Sequence, residues 1–297
     1  MKTLELDLSG YSAAGPGSPV HLLFIRQASG GQLMAARGPD KGESGIFKTH
    51  PNGGGLRALL MQNGYVVHEA GEGSEIGTGT DVCHWDRKFR EGMEKVLMTK
   101  RQDLLHSDGT RNRVVLFQSG PGSNWIDGEG IEPGNPDARE KTLANYKAAY
   151  RGLLKWFRRE PDTLFIAMTP APLTKPEPAK GIVLRLLGKA DRNPGDEVGK
   201  RARFFNNWLR NVHTGWLQGY PLENVAVFDL YDILTGCGSS NWLFYPAGRD
   251  GDSLPSAEGN LIVVREFLPF LNRARNRMVQ HSISANGTGA YSRQAPG

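Results

Sequence analysis

Five short apolar runs, each bounded by turn-forming residues and separated from the next by a longer stretch, constrain this chain more than any other feature of it. They are His21–Ile25, Tyr65–His68, Val114–Phe117, Thr163–Met168 and Asn224–Phe228. Runs this short and this continuously apolar read as strands buried on both faces. The intervening stretches carry helical spacing over Leu56–Gln62, Asp86–Met98, Arg139–Arg159, Val198–Val212 and Ala257–Arg277. In the third of these, Leu143, Tyr146, Tyr150, Leu153, Leu154 and Phe157 fall on one face of a helix. Ser256 stands where a side-chain oxygen can accept the first free amide protons of the last one.

Strands that alternate with helices form parallel pairs, because parallel neighbours need crossover connections, and both faces of the sheet are then covered. The expectation is one three-layer α/β/α domain over residues 20–279, preceded by a flexible segment 1–19 and followed by a disordered tail 280–297. A chain of 297 residues with 38% hydrophobic content can bury such a core. Its 36 basic and 31 acidic residues give a net charge of +5 with no basic block, so nucleic acid is not an expected partner. Cys83 and Cys237 stand far apart, which implies neither a zinc cluster nor a disulfide framework. The first residues lack the apolar core of a secretory signal, and no apolar run approaches the ~18 residues of a membrane span. A soluble protein is expected, cytoplasmic or with its signal removed, and composition says nothing of its oligomeric state.

In doubly wound sheets ligands bind beyond the carboxyl ends of the strands. The segments there hold glycines, polar side chains and Trp85, Trp125 and Trp242, a composition suited to a polar cleft with aromatic walls that could stack on sugar rings. Ser29 follows the first strand in FIRQASGG, and His84 follows the second in TDVCHW. Acidic residues at Asp81, Asp86, Asp127, Glu129, Asp250 and Asp252 share these segments without matching the spacing of a cation loop, so no metal and no cofactor are expected. Between the fourth strand and the next helix, Ile182, Val183, Leu184, Leu186 and Leu187 form an apolar patch that reads equally as a lid over the cleft or as a packed short helix.

The succession LLFIRQASGGQL, NGYVVHEAG with TDVCHW, VVLFQSGPGSNWI, DTLFIAMTPAPL and DSLPSAEGN resembles the blocks of the SGNH (GDSL-like) hydrolases, and more narrowly a little-characterised bacterial branch of them, from about Val20 to Arg275. The resemblance implies a flavodoxin-like parallel sheet of five strands in the order 2-1-3-4-5. It assigns the nucleophile to Ser29, one oxyanion amide to Gly71 or Gly73, and a side-chain donor to Asn124. Donors converging on one point stabilise the oxyanion of acyl transfer, which is why such a site draws on three strand ends.

In the last block the family carries Asp-x-x-His, and here Leu254 occupies the histidine place and Gly251 the aspartate place. Leucine can neither take nor return a proton, and a serine without a base is a poor nucleophile. A substitute base could come from His84, or from Asp250 or Asp252 beside the vacant places. Two readings stand: a hydrolase or acyltransferase acting on an acylated carbohydrate or other polar ester through Ser29 with an atypical base, or a catalytically inactive ligand-binding or glycan-binding relative. A nucleotide-binding protein on the same sheet is disfavoured, because neither RQASGG nor SGPGSN forms a phosphate-binding fingerprint.

Overall fold

The computed structural model describes residues 5–175, 195–248 and 253–289. The first strand, β1 (Val20–Ile25), leads into helix α1 (Ala28–Met34) and then into three short strands, β2 (Ala36–Arg37), β3 (Lys41–Glu43) and β4 (Ile46–His50). Helix α2 (Leu56–Gln62), strand β5 (Tyr65–Ala70) and helix α3 (Val82–Met98) follow, then β6 (Thr99–Arg101), β7 (Leu104–Leu105) and β8 (Val114–Gln118). A 3-10 turn over Pro121–Asn124, helix α4 (Leu143–Phe157), β9 (Leu164–Met168), α5 (Gly195–Arg210), β10 (Val225–Phe228), α6 (Leu230–Leu234) and α7 (Ala257–Gly289) complete the order.

The main sheet has seven strands in the order β10-β9-β8-β1-β5-β6-β7. Its first five members are the five strands expected from sequence, and taken from β5 inward they stand in the expected order 2-1-3-4-5. The expected count of five is corrected to seven by β6, parallel to β5, and β7, antiparallel to β6. A second sheet, β2-β4-β3, lies between α1 and α2 in sequence and was not foreseen. The segment before β1, expected to be flexible, lies against α7: Leu8 is buried, and Asn272 Nδ2 donates to Ala13 O at 2.8 Å. The last helix runs on to Gly289, into the segment expected to be a disordered tail.

Strand residues alternate between two apolar layers, as the period of two requires. Leu22, Phe24, Leu116 and Ile166 join residues of α1, α2 and α7, including Leu33, Leu60, Val263 and Phe267. Leu23, Ile25, Phe117 and Phe165 meet α3, α4 and α5 through Trp85, Phe89, Phe157 and Phe205. Three of the described helix starts carry side-chain caps, Thr142 Oγ1 accepting from Asn145 N at 3.3 Å, Asp229 Oδ1 from Asp232 N at 3.0 Å and Ser256 Oγ from Gly259 N at 3.3 Å. Among the described residues no helix is long and apolar enough to cross a membrane.

One polar group interrupts the apolar layer at the carboxyl end of the central strands. Arg26, just past β1, donates through Nε and Nη2 to Glu69 Oε2 on β5 at 2.9 and 2.8 Å, with side chains 1% and 5% exposed. Glu69 Oε1 accepts from Arg57 Nε of α2 at 2.6 Å. The two guanidinium groups also reach the small sheet, Arg26 Nη2 to Gly45 O at 3.1 Å and Arg57 Nη2 to Phe47 O at 2.8 Å. Removing one member of a buried ion pair leaves the other uncompensated. Glu69→Ala is therefore expected to lower unfolding free energy by about 3–5 kcal/mol, read as a fall in the urea midpoint. Arg26→Met combined with Glu69→Leu should recover most of that loss.

Candidate functional site

The end of β1 presents its side chains in a fixed sequence: Arg26 turns inward to Glu69, Gln27 begins the exit, and α1 opens at Ala28. Ser29 thereby falls in the first turn of a helix that follows the central strand, 4% exposed, and its Oγ has no hydrogen-bond partner. Gln32 lies one turn on, on the same helix face, and its Oε1 is also buried and unpartnered. Gln118, the last residue of β8, brings a third such oxygen, Oε1, close to the same turn. A Cβ at Gly30 would sit 2.6 Å from Gln118 Oε1, and one at Gly120 would sit 1.8 Å from Gln27 Oε1. The two glycines thus let the loop after β8 close onto α1.

Two of the oxyanion donors expected from the resemblance, Gly71 and Asn124, spend their N–H groups on other partners. Gly71 N donates to Gln102 Oε1 at 2.8 Å, a side chain from the β6–β7 turn. Gly73, the alternative, is exposed at φ +92°. Asn124 is fully buried, and its Nδ2 donates to Pro170 O at 3.0 Å and Ala171 O at 2.8 Å, while its Oδ1 accepts from Asn206 Nδ2 of α5 at 2.8 Å. Both amide protons are committed, so Asn124 ties the loops after β8 and β9 to α5. It is a latch where a free donor was expected.

The aromatic and ionisable residues sort in the same way. Trp85 is 0% exposed, stacked among Phe89 and Phe117 with Nε1 donating to Ser119 Oγ at 2.7 Å, so it belongs to the core and not to a ligand wall. Trp242 is also buried, over Gly199 of α5, where an added Cβ would meet its ring at 3.1 Å. Trp125 is half-buried, with Nε1 donating to Asp127 Oδ1 at 3.0 Å. It alone of the three is not buried.

His84 is exposed in the first turn of α3 and lines a shallow hollow of about 360 Å³ with Thr78, Gly79, Lys88 and Glu91. No hydrogen bond joins it to Ser29. The acidic residues expected on the rim do not converge either. Asp86 is buried between α3 and α4, bonded to Arg90 and to Trp156 Nε1, and Asp81 accepts from Ser123 Oγ. Asp250, Gly251 and Asp252 lie outside the described residues, as does the apolar patch from Ile182 to Leu187. Leu254 is half-buried and accepts Ala247 N through its carbonyl at 2.9 Å.

A larger cavity, about 730 Å³, lies at the far edge of the sheet, lined among others by Arg210, Asp229, Asp232, Ile233, Phe244 and Tyr245. Three strand spacings separate β10 from β1, about 14 Å, so this is a separate place from Ser29. Asp229, directly after β10, accepts from Thr169 Oγ1 at 3.1 Å and Asp232 N at 3.0 Å and pairs with Arg210 Nη1 at 3.0 Å. Burial pushes its carboxyl up to about 6 against the pull of Arg210. Sequence reading passed over it, although a carboxylate straight after a buried strand is a visible signal.

No protein-family model matches the chain, and no curated protein matches it. Among solved structures, the chain is similar to a catalytic mutant of an acetylxylan esterase from Geobacillus stearothermophilus at 16% identity, covering 89% of this chain and 96% of that one with a TM-score of 0.41. It is similar also to a carbohydrate esterase family 2 enzyme with a carbohydrate-binding domain from Corynascus thermopiles (Myceliophthora fergusii), at 12% identity over 89% and 68% of the two chains and a TM-score of 0.39. Similarity at this level concerns the course of the chain and assigns no residue a role. What the chain's own strands and helices define is an α/β/α sandwich with a mostly parallel central sheet.

Two outcomes are expected. Asn124→Ala, which strands two buried carbonyls and Asn206, should cost about 2 kcal/mol or more of stability in chemical denaturation, a loss that a solvent-facing oxyanion donor would not show. Asp229 holds its proton more tightly folded than unfolded, so its contribution favours the fold below the ordinary value of 3.8 and is lost as pH rises through about 6. Relative to Asp229→Asn, the wild type should lose on the order of 2 kcal/mol between pH 4 and 7, measured by denaturation at a series of pH values.

Proposed function

We propose that the turn around Ser29 is a binding site for a polar acyl ester, an acylated carbohydrate foremost, in an SGNH-like protein that binds its ligand without appreciable hydrolysis. The observation that carries this reading is the Ser29 hydroxyl itself: enclosed, at the end of the central strand, and with no acceptor for its proton among the described residues. A serine becomes a nucleophile when an adjacent base takes that proton, and no described side chain is bonded to it. Leu254 in the histidine place and the committed amide of Asn124 agree with binding over turnover.

The chemistry of the unpartnered atoms supports a hydroxylated ligand. Amide oxygens accept hydrogen bonds only, and buried polar atoms in folded proteins are normally satisfied. Gln32 Oε1 and Gln118 Oε1 therefore suit a ligand rich in O–H donors, which a sugar is, while Ser29 Oγ can donate to an ester carbonyl. Of the three tryptophans expected to line a cleft, Trp125 is the one that is not buried.

The test is hydrolysis of p-nitrophenyl acetate and a panel of acetylated sugars by wild type, Ser29→Ala and Leu254→His, together with binding of the same sugars by calorimetry. All three proteins are expected to hydrolyse at the background rate, and Ser29→Ala to bind a recognised ester about tenfold more weakly, the equivalent of one lost hydrogen bond. Hydrolysis by wild type that vanishes in Ser29→Ala would overturn the binding reading in favour of a serine esterase with an unconventional base.

A further inference from the structure

Three histidines converge at the opposite end of the central strands from Ser29. His21 is the second residue of β1 and His68 sits in the middle of β5. The parallel register pairs His21 with Val66 and Leu23 with His68, so both imidazoles emerge on the same face of the sheet as diagonal neighbours. His106 arrives from the segment just past β7, its backbone held by donation to Met98 O at 2.8 Å. Within this group each ring offers a nitrogen that lies within 4.8 Å of the others.

The hydrogen bonds fix which nitrogen is free. His68 Nδ1 is 2.9 Å from Lys100 O, and a carbonyl only accepts, so Nδ1 carries the proton and Nε2 carries the lone pair. An imidazole whose far nitrogen donates to a backbone carbonyl is the usual arrangement of a histidine ligand, the carbonyl setting both tautomer and ring orientation. His68 Nε2 accepts from His21 Nδ1 at 2.9 Å, and His21 would move that proton to its Nε2 on taking a metal at Nδ1. His106 is 9% exposed, and its Nε2 is buried with no hydrogen-bond partner. The His106 ring stands edge-on to both others, at 83° to His21 and 85° to His68.

A self-contained hydrogen-bonded cluster leaves His106 Nε2 unsatisfied, whereas a cation among the three nitrogens satisfies every one. Zinc–nitrogen bonds of 2.0–2.1 Å in tetrahedral geometry place ligand nitrogens about 3.3 Å apart, between the shortest separation here and the widest. We propose that His21, His68 and His106 form a binding site for a divalent transition metal, with zinc as occupant, through His21 Nδ1, His68 Nε2 and His106 Nε2. Three neutral imidazoles suit zinc and leave a fourth position for water or an oxygen ligand. Asp108 is near enough for its charge to be felt at His21 and His106. The ion would join β1, β5 and the segment beyond β7, and so fasten the edge of the sheet to its centre.

The experiment is calorimetric titration of chelator-treated full-length protein with zinc, repeated with cobalt as a spectroscopic probe. Variants are His106→Ala, His21→Gln and, as a control outside the cluster, His213→Ala, each checked for folding by circular dichroism without metal. Wild type and His213→Ala should take up one equivalent, show the cobalt ligand-field bands of a low-symmetry nitrogen site, and melt at higher temperature with zinc than without. His106→Ala and His21→Gln should be folded, bind at least tenfold more weakly and lose the zinc-dependent rise in melting temperature. Sub-stoichiometric uptake by wild type, or uptake by the folded variants equal to wild type, would overturn the proposal. Neither result depends on what binds at Ser29.

Discussion

The contact between Arg26 and Glu69 sets the terms for everything at the carboxyl end of the sheet. Two charges taken almost wholly out of water are stable only when each satisfies the other with good geometry, and here one carboxylate is shared by two guanidinium groups. Because Arg26 lies between β1 and α1, and Glu69 two residues before the loop that begins at Gly71, the pair fixes where both segments leave the sheet. The carbonyls of Gly45 and Phe47 complete the guanidinium hydrogen bonds, so the small sheet is positioned by the same group. Ser29 takes its place in the first turn of α1 as a result.

How much of this the sequence disclosed follows from the length over which each signal is written. The five long strands were legible because burial on both faces leaves a continuous apolar run, and the α4 helix because six of its residues share one helical face. Strands β2, β3, β6 and β7 are two or three residues long and exposed at many positions, too short to show alternation. The segment around Leu8 is held by asparagines of α7 that accept no pattern of their own. Composition placed three tryptophans near strand ends, yet which face each ring takes is decided by neighbours such as Ser119 and Gly199 that sequence spacing does not reveal.

The site residues divide along the same line. That Ser29 stands just past the first strand was legible from the apolar run before it, whereas the engagement of Gly71 by Gln102 and of Asn124 by two carbonyls arises from contacts across 31 and 46 or 47 residues. The three histidines are likewise brought together only by strand register. No local motif joins them, and expecting no metal from the acidic spacing did not bear on an imidazole cluster assembled by the sheet.

The double commitment of Asn124 has a consequence for the segments it joins. With both amide protons on the carbonyls of Pro170 and Ala171 and its oxygen on Asn206, this one side chain couples the loop after β8, the loop after β9 and α5. Freeing that amide loosens the joint among the β8 loop, the β9 loop and α5. A displacement of any one of the three is therefore felt by the other two, and the two loops beyond β8 and β9 move, if they move, as a unit with that helix.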